Sequence, residues 1–168
     1  MDNEAAQETI DSIILRWWIE LDHGRRQFKK KGVFRTKDSA TLRRAKTTED
    51  VVINCEAYHI LLKRVTQIAE QTNERRDRLA VVAAVIAHVR VNSNKNVAQY
   101  LKGLSQKSDS IELRFKRLLQ EYEPDELMQS MIRAVKLVGN EASVVHLATS
   151  IMNWTDPKTK KQWAYDFY

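Results

Sequence analysis

The clearest chemical signal in this sequence is a dense run of basic side chains in its N-terminal third. Between Gly24 and Thr48 there are ten Lys and Arg residues and a single acid, Asp38. This window carries about +9, whereas the whole chain has a net charge of +6, so the remainder is slightly acidic. A concentrated positive patch on a near-neutral body is typical of a protein that binds a polyanion. The alternative interpretation is a solvated loop, because blocks of like charge are often disordered.

Two further basic pairs occur at helical spacing in the second half of the chain. Arg114 and Arg117 are three residues apart with Lys116 beside them, and Arg133 precedes Lys136 by three residues. Residues three apart lie on one face of a helix, so each pair predicts a local positive patch. Separate patches on a helical body suit a surface that follows a phosphate backbone without reading bases. For each pair taken alone, a solvated helix face is the alternative.

Two Glu-x-x-His pairs raise the question of a metal site. Glu20 precedes His23, and Glu56 precedes His59, at the spacing that helical di-iron proteins use. Such sites also need a single inward Glu from each of two further helices, and the segment expected to form the central helix has no acid after Asp77. We therefore predict no metal and no cofactor, and keep a di-iron-type metalloprotein as an alternative.

The motifs of common enzyme classes are absent from the sequence. It has no G-x-S-x-G, no phosphate-binding glycine loop, no H-E-x-x-H and no paired C-x-x-C, so we predict a protein that is not an enzyme. Cys55 is the one cysteine, which excludes a disulfide framework and favours a reducing compartment. No apolar run approaches the roughly 20 residues of a membrane span, and the N-terminus is acidic. We expect a cytoplasmic protein without a signal peptide.

The elements that position these residues are predicted to be helices. The chain of 168 residues has four Gly and two Pro, and its apolar residues recur three or four apart over most of the length. The prediction is all-α: one compact bundle of about eight or nine helices that forms a single domain, residues 1–168. A polar joint at residues 92–96 suggests a finer division into two packed sub-bundles, residues 1–92 and 93–168.

Helix boundaries near the basic window follow from capping residues. Gly24 is predicted to end the first helix, since glycine is the usual residue just past a helix C-terminus. Asp38 or Ser39 is predicted to cap the short helix that follows. The intervening basic segment, residues 25–41, is expected to form a loop.

The most buried helix is predicted over residues 74–91, because its second half is apolar on every face. We expect Trp17 and Trp163 in the core, where tryptophans at helical spacing among aliphatic residues usually lie. Stacking on bases is the alternative role for these rings. His88 and His146 have no carboxylate within helical reach, so we expect both in the core or at its boundary.

Several short segments, taken in order, match a known family. They are Trp17 with Leu21-Asp22-His23-Gly24, then Leu42-Arg43-Arg44-Ala45, residues 112–119, residues 127–137, Asn153-Trp154 and residues 163–168. By these segments the chain resembles the CasB family, the small subunit of the type I-E CRISPR surveillance complex (Cascade). No single motif is specific, but the order and spacing cover nearly the whole length.

The resemblance implies an all-helical, non-catalytic subunit that assembles as two copies along the belly of the complex. There it supports the hybrid of guide RNA and target DNA, together with the displaced DNA strand. The implied partners are the guide (CRISPR) RNA, the target and non-target DNA strands, the backbone-repeat and large subunits, and a second copy of itself. No membrane is involved.

The predicted nucleic-acid-binding residues are basic side chains of the three patches. Those that the resemblance assigns by position are Arg43, Arg44, Arg114, Arg117 and Arg133. Those added because they lie in the same patches are Arg25, Arg26, Lys116 and Lys136. Typical members of the family pass from the Leu-Asp-x-Gly turn to the Leu-Arg-Arg segment within a few residues. Residues 25–41 are therefore interpreted as a basic insertion, and residues 27–37 are expected to act as a mobile arm that adds non-specific affinity.

Three hypotheses about function follow. The first is a binding subunit of an RNA-guided DNA-targeting complex, which predicts salt-sensitive binding without sequence preference. The second is a helical di-iron-type metalloprotein, which predicts stoichiometric iron or manganese. The third is a stand-alone helical DNA-binding protein, which predicts tight, sequence-selective binding by the isolated chain.

Overall fold

The computed structural model describes the backbone of residues 8–26 and 34–168, and the side chains of residues 8–21 and 34–168. Within these ranges the chain forms ten α-helices and one pair of two-residue strands, which confirms the all-α prediction. The helices are α1 Ile10–Arg26, α2 Thr36–Arg44, α3 Thr48–Asn54, α4 Glu56–Thr66, α5 Asn73–Ile86, α6 Val97–Ser105, α7 Asp109–Gln120, α8 Pro124–Leu137, α9 Val144–Met152 and α10 Pro157–Phe167. The strands are β1 Val91–Asn92 and β2 Glu141–Ala142.

Helix α5 lies at the centre of the molecule, as its uniform apolarity predicts. Every residue from 78 to 86 is buried, because α5 packs against α8 and α9 from the second half of the chain and against α2, α3 and α4 from the first half. Helices from both of the expected sub-bundles thus share one core through α5. We therefore propose that residues 1–168 form a single domain.

The chain leaves the helical conformation earlier than predicted after α5. The helix ends at Ile86, and β1 pairs in parallel with β2, with Val91 opposite Glu141. The backbone amide of Arg90 also donates to the carbonyl oxygen of Asn140 at 2.8 Å. The prediction of helix through residue 91 was wrong because this long-range pairing outweighs local helix propensity, as tertiary context routinely does.

The turn that follows α8 has the geometry of a Schellman motif. Gly139 and Asn140 adopt left-handed conformations, with φ angles of 79° and 61°. The Gly139 amide donates to the Lys136 carbonyl and the Asn140 amide to the Val135 carbonyl, at 3.1 and 2.9 Å. This turn ends α8 and leads the chain directly into β2.

All four tryptophans are buried and use their indole N–H groups to join distant elements. Trp17 donates to the Ala57 carbonyl at 2.9 Å and so ties α1 to α4. Trp163 donates to Ser150 Oγ at 2.9 Å, between α10 and α9. The core prediction for both rings is confirmed, and a buried ring of this kind is not available to stack on a base.

Two helix boundaries near the basic window differ from the prediction. Helix α1 continues through Gly24 to Arg26, so that glycine does not end it. Helix α2 begins at Thr36, so neither Asp38 nor Ser39 is the residue that precedes and caps it. Asp38 lies in the first turn of α2 instead, and its Oδ2 accepts a hydrogen bond from the backbone amide of Arg35 at 2.6 Å. The expected loop over residues 25–41 is therefore helical at both of its described ends. Residues 27–33 lie outside the described residues.

The segment after Thr47 forms two helices, α3 and α4, which meet at Cys55. Thr47 caps α3, since its side chain accepts a hydrogen bond from the Asp50 amide at 3.1 Å. In the part of the chain that the structure describes, no helix is long and apolar enough to cross a membrane.

Candidate nucleic-acid interface

Two concave surfaces contain most of the predicted binding residues. The first, which we call the four-cation groove, has a volume of about 590 Å³ and is lined by Ala40, Arg43, Arg44, His88, Arg90, Lys136 and Asn140. The second, the three-arginine cleft, has a volume of about 330 Å³ and is lined by Leu101, Arg114, Phe115, Arg117, Leu118, Glu121, Ser130, Arg133, Ala134 and Leu137. The fold thus brings together residues that are far apart in the sequence.

The cations of the four-cation groove come from the ends of two helices and from the segment between α5 and β1. Arg43 and Arg44 lie in the last turn of α2, Lys136 lies in the last turn of α8, and Arg90 follows α5. A helix C-terminus stabilises positive charge, so the two helix ends favour cations at these positions. Arg43 is half-buried, and its Nε donates to the Ser39 carbonyl at 3.3 Å, which orients the guanidinium within α2.

His88 forms the inner part of the four-cation groove. Its side chain is 7% exposed, and its Nε2 has no hydrogen-bond partner among the described atoms. Burial and the nearby charges of Lys136, Arg43 and Arg90 lower the pKa of His88 from 6.5 to about 4. The imidazole is therefore neutral at pH 7. No Asp or Glu is among the described residues that line the groove, and this arrangement suits an anion.

The three-arginine cleft lies between α6, α7 and α8. Arg114 and Arg117 are exposed on α7, and Arg133 is exposed on α8 across from them. None of the three takes part in the ion pairs that the structure shows among its described residues. Among the described residues that line the cleft, Glu121 is the one acid, and its Oε1 accepts a hydrogen bond from Ser130 Oγ at 3.1 Å. The cleft is therefore net positive.

Among the predicted residues whose side chains the structure describes, Lys116 alone lines neither surface. The Lys116 ammonium lies 2.8 Å from Glu112 Oε1 and forms an ion pair along α7. Tyr168 donates a hydrogen bond to the same carboxylate oxygen at 3.0 Å, and these contacts lower the pKa of Glu112 and raise that of Lys116. Arg25 and Arg26 end α1, and their side chains lie outside the described residues.

Sequence reasoning missed Arg90 and the role of His88 in the groove. Residues 74–91 were predicted as one continuous helix, and in that geometry neither side chain has a reason to lie near α2. A signal was present in the polar residues that follow Val91, since Asn92 ends the apolar segment. The Asn92 side chain accepts a hydrogen bond from the Val144 amide at 2.9 Å, which helps to fix the turn.

One residue of each Glu-x-x-His pair, Glu20 and His59, is engaged in a structural contact. Arg64 forms an ion pair with Glu20 and donates a hydrogen bond to its carboxylate at 2.7 Å. His59 Nε2 lies 2.7 Å from the Val52 carbonyl oxygen. Among the described residues there is no group of three His, Cys, Asp or Glu side chains able to hold a metal ion. Burial raises the pKa of the Cys55 thiol to about 11, so it is a neutral, inert side chain at pH 7.

Comparison with known proteins gives a family match and a fold match. The sequence model of the family described as CRISPR-associated protein Cse2 (CRISPR_cse2) matches residues 38–168. The structure of a CRISPR-associated Cse2-family protein from Thermus thermophilus superposes with a TM-score of 0.70 at 22% identity, covering 92% of this chain and 96% of that chain. A second structure, described as CasB from Thermus thermophilus, superposes with a TM-score of 0.68 at 20% identity, with the same coverage. No curated protein sequence matches the chain.

Proposed function

Because this chain belongs to the CRISPR-associated Cse2 family, we propose that it is the small, non-catalytic subunit of a Cascade-type complex and that it stabilises the R-loop. It binds the hybrid of guide RNA and target DNA and the displaced strand through phosphate contacts that do not depend on sequence. Its partners are the guide RNA, both DNA strands, the backbone-repeat and large subunits, and a second copy of itself.

A subunit of this kind needs to contribute only a small free energy to change whether the R-loop persists. The exchange of a DNA duplex for an RNA–DNA hybrid is nearly balanced, so contacts between protein and backbone tip the equilibrium. A subunit that neutralises phosphates on the hybrid or on the displaced strand makes reannealing less favourable. Base pairing with the guide already selects the sequence, and the subunit needs no contacts that read bases for that purpose.

The observation that carries this proposal is the convergence of basic residues on two concave surfaces. Four cations line one surface and three line the other, with Glu121 as the only acid among the described lining residues of both. Each phosphate contact contributes a slope of about 0.7 to 0.9 in a plot of log K against log salt concentration. Several such contacts predict binding that weakens steeply as salt is added.

The experiment that tests the proposal measures R-loop lifetime in the assembled complex. The variants are Arg44→Glu with Lys136→Glu in the four-cation groove, and Arg114→Glu with Arg117→Glu in the three-arginine cleft. We expect each pair to shorten the lifetime about tenfold or more, since each removes phosphate contacts and adds repulsion. The matched control, Lys63→Glu with Lys158→Glu, makes the same charge change at exposed residues outside both surfaces.

The result that would overturn the proposal is an R-loop lifetime equal to that of the unaltered complex for both groove and cleft variants. An equal loss in the control pair would also contradict it, because the effect would then follow net charge and not the two surfaces. Tight, sequence-selective binding of duplex DNA by the isolated chain would point instead to a stand-alone DNA-binding protein.

A further inference from the structure

The three-arginine cleft differs from the four-cation groove in having an apolar floor. Its inner residues are apolar side chains that are nearly buried: Leu101, Phe115 and Leu118 are 3%, 1% and 3% exposed, and Ala134 is 7% exposed. Leu137 is half-buried beside them. A phosphate group gains nothing from such a floor, because a charge pays a desolvation penalty beside apolar surface. The ligand that suits the cleft has an apolar face as well as an anionic group.

The size of the cleft limits what can enter it. A volume of about 330 Å³ lies at the small end of the range for small-molecule sites, roughly 300 to 1,000 Å³. A nucleic-acid duplex is far too wide, and a paired base is held within the stack, so it cannot reach the floor. A single unpaired base with its own phosphates is of suitable size.

The arrangement of charge around the floor supports the same ligand. Arg114 and Arg117 approach from α7, and Arg133 approaches from α8, so cations lie on two sides of the apolar surface. Guanidinium groups pair with phosphates and also stack on the flat faces of bases. Glu121 lines the cleft as an acid and repels phosphate, but its carboxylate is able to accept a hydrogen bond from the amino group of a base.

We propose that the three-arginine cleft holds one unpaired base of a single strand, with the base against Phe115, Leu118 and Ala134 and the flanking phosphates on the three arginines. This inference rests on the proposed function and deepens it. Phosphate contacts alone do not distinguish a single strand from a duplex, whereas a base-sized cleft does. The subunit therefore holds single strand in preference to reannealed duplex.

The first test compares single strands of equal length and charge that differ only in their bases. Fluorescence anisotropy measures binding of the full chain to a labelled oligonucleotide and to its counterpart with abasic sites throughout. Because stacking of a base on a protein surface is usually worth a large factor in affinity, we expect the abasic strand to bind about tenfold more weakly. Equal affinities for the two strands would overturn the inference. Absence of binding to either strand would instead remove the proposed function.

The second test fills the cleft without changing its charge. Ala134→Leu adds bulk at the floor, and we expect this variant to bind the intact strand no better than the abasic one. Ala164→Leu is the matched control, since it makes the same substitution at a half-buried alanine of α10 that lines neither surface. The control should keep the tenfold preference for the intact strand. A preference that persists in Ala134→Leu would contradict the proposed cleft.

Thermal unfolding shows whether each variant is folded before its binding is interpreted. If Ala134→Leu does not fold, Ser130→Leu provides a second way to fill the same cleft from a half-buried, polar position. The comparison of intact and abasic strands with the unaltered chain decides the question in either case.

Discussion

At the scale of single residues, the fold determines the charge state of His88. The imidazole is buried next to Arg43, Arg90 and Lys136, so its protonation would add a further positive charge to the groove where water screens it poorly. A neutral His88 lets the groove retain Arg43, Arg90 and Lys136 close together without further repulsion. This arrangement makes the folded state less stable when the solution becomes acidic.

We predict that replacement of His88 reduces the loss of stability in acid. The folded-state pKa of about 4 lies below the unfolded value of 6.5, so the unfolded chain binds more protons between these pH values. The contribution of His88 to the free energy of unfolding is therefore fully present above pH 6.5 and is lost as the pH falls towards 4. The shift corresponds to roughly 3 kcal/mol at most. Urea unfolding of the wild type and His88→Gln at pH 7 and pH 4.5 measures the difference.

A suitable control for this prediction is His59→Gln, because that histidine is exposed on α4. The loss of stability between pH 7 and pH 4.5 should be smaller in His88→Gln than in this control. Burial also lowers the pKa of His146, so part of the acid sensitivity should remain after His88 is replaced. A His88→Gln variant that loses as much stability as the wild type between the two pH values would refute the prediction.

The same residue scale shows what the sequence could and could not predict. Trp17 and Trp163 could be assigned to the core, because large rings among periodic aliphatic residues are almost always packed. Arg114 and Arg117 could be placed on one exposed helix face by their spacing alone. Arg90 could not be placed in a groove with Arg43, because that contact depends on a chain reversal which neither residue encodes.

At the scale of elements, α8 and its C-terminal turn organise both candidate surfaces. Helix α8 carries Arg133 into the three-arginine cleft and Lys136 into the four-cation groove. The Schellman turn at residues 139–140 then directs the chain into β2, which pairs with the segment that carries Arg90. The conformation of this turn is therefore coupled to the shape of the groove.

We predict opposite effects from two Gly→Ala substitutions. Gly139→Ala should lower the free energy of unfolding by about 1 kcal/mol, because its φ of 79° suits glycine and strains a residue with a Cβ. Gly103→Ala should raise it by about 0.5 to 1 kcal/mol, since Gly103 is an exposed position within α6 with open space where a Cβ would lie. Urea denaturation measures both changes. Effects of the same sign would contradict the backbone argument.

The presence of the helices could be predicted from the sequence more accurately than the residues at which they begin and end. The helical pattern is strong because apolar residues recur at each turn and few breakers interrupt them, so the all-α fold could be read directly. Gly24 was misleading, since a glycine inside a helix costs only about 1 kcal/mol and does not by itself end it. The β1–β2 pair could not be predicted, because two residues carry no periodicity.

At the scale of the whole molecule, positive charge occurs both on the helices that the structure describes and in the segment of the sequence that precedes α2. The body contributes two surfaces built from residues far apart in sequence, such as Arg44 and Lys136. Residues 27–33 lie outside the described residues, and the sequence places Lys29, Lys30 and Lys31 among them. Their contribution to binding stays a prediction based on charge.

We predict that substitution of these three lysines by glutamine weakens binding of nucleic acid and flattens its salt dependence. Each lost phosphate contact should reduce the slope of log K against log salt by about 0.7 to 0.9. The measurement is a salt titration of oligonucleotide binding by the full chain. The matched control replaces Lys63, Lys107 and Lys158, which are exposed and line neither surface. A slope identical to that of the wild type would show that the insertion makes no contact.

The position of Arg133 and Lys136 on one helix has a consequence for how affinity depends on strand length. Three residues of helix span only about 4.5 Å along the axis, so the cleft and the groove are neighbours along α8. A strand long enough to reach both binds bivalently, and its second attachment takes place at a high effective concentration. We expect affinity measured with single strands of increasing length to rise in a step once both surfaces are spanned. In the variant with Arg44→Glu and Lys136→Glu the step should disappear, leaving a gradual increase.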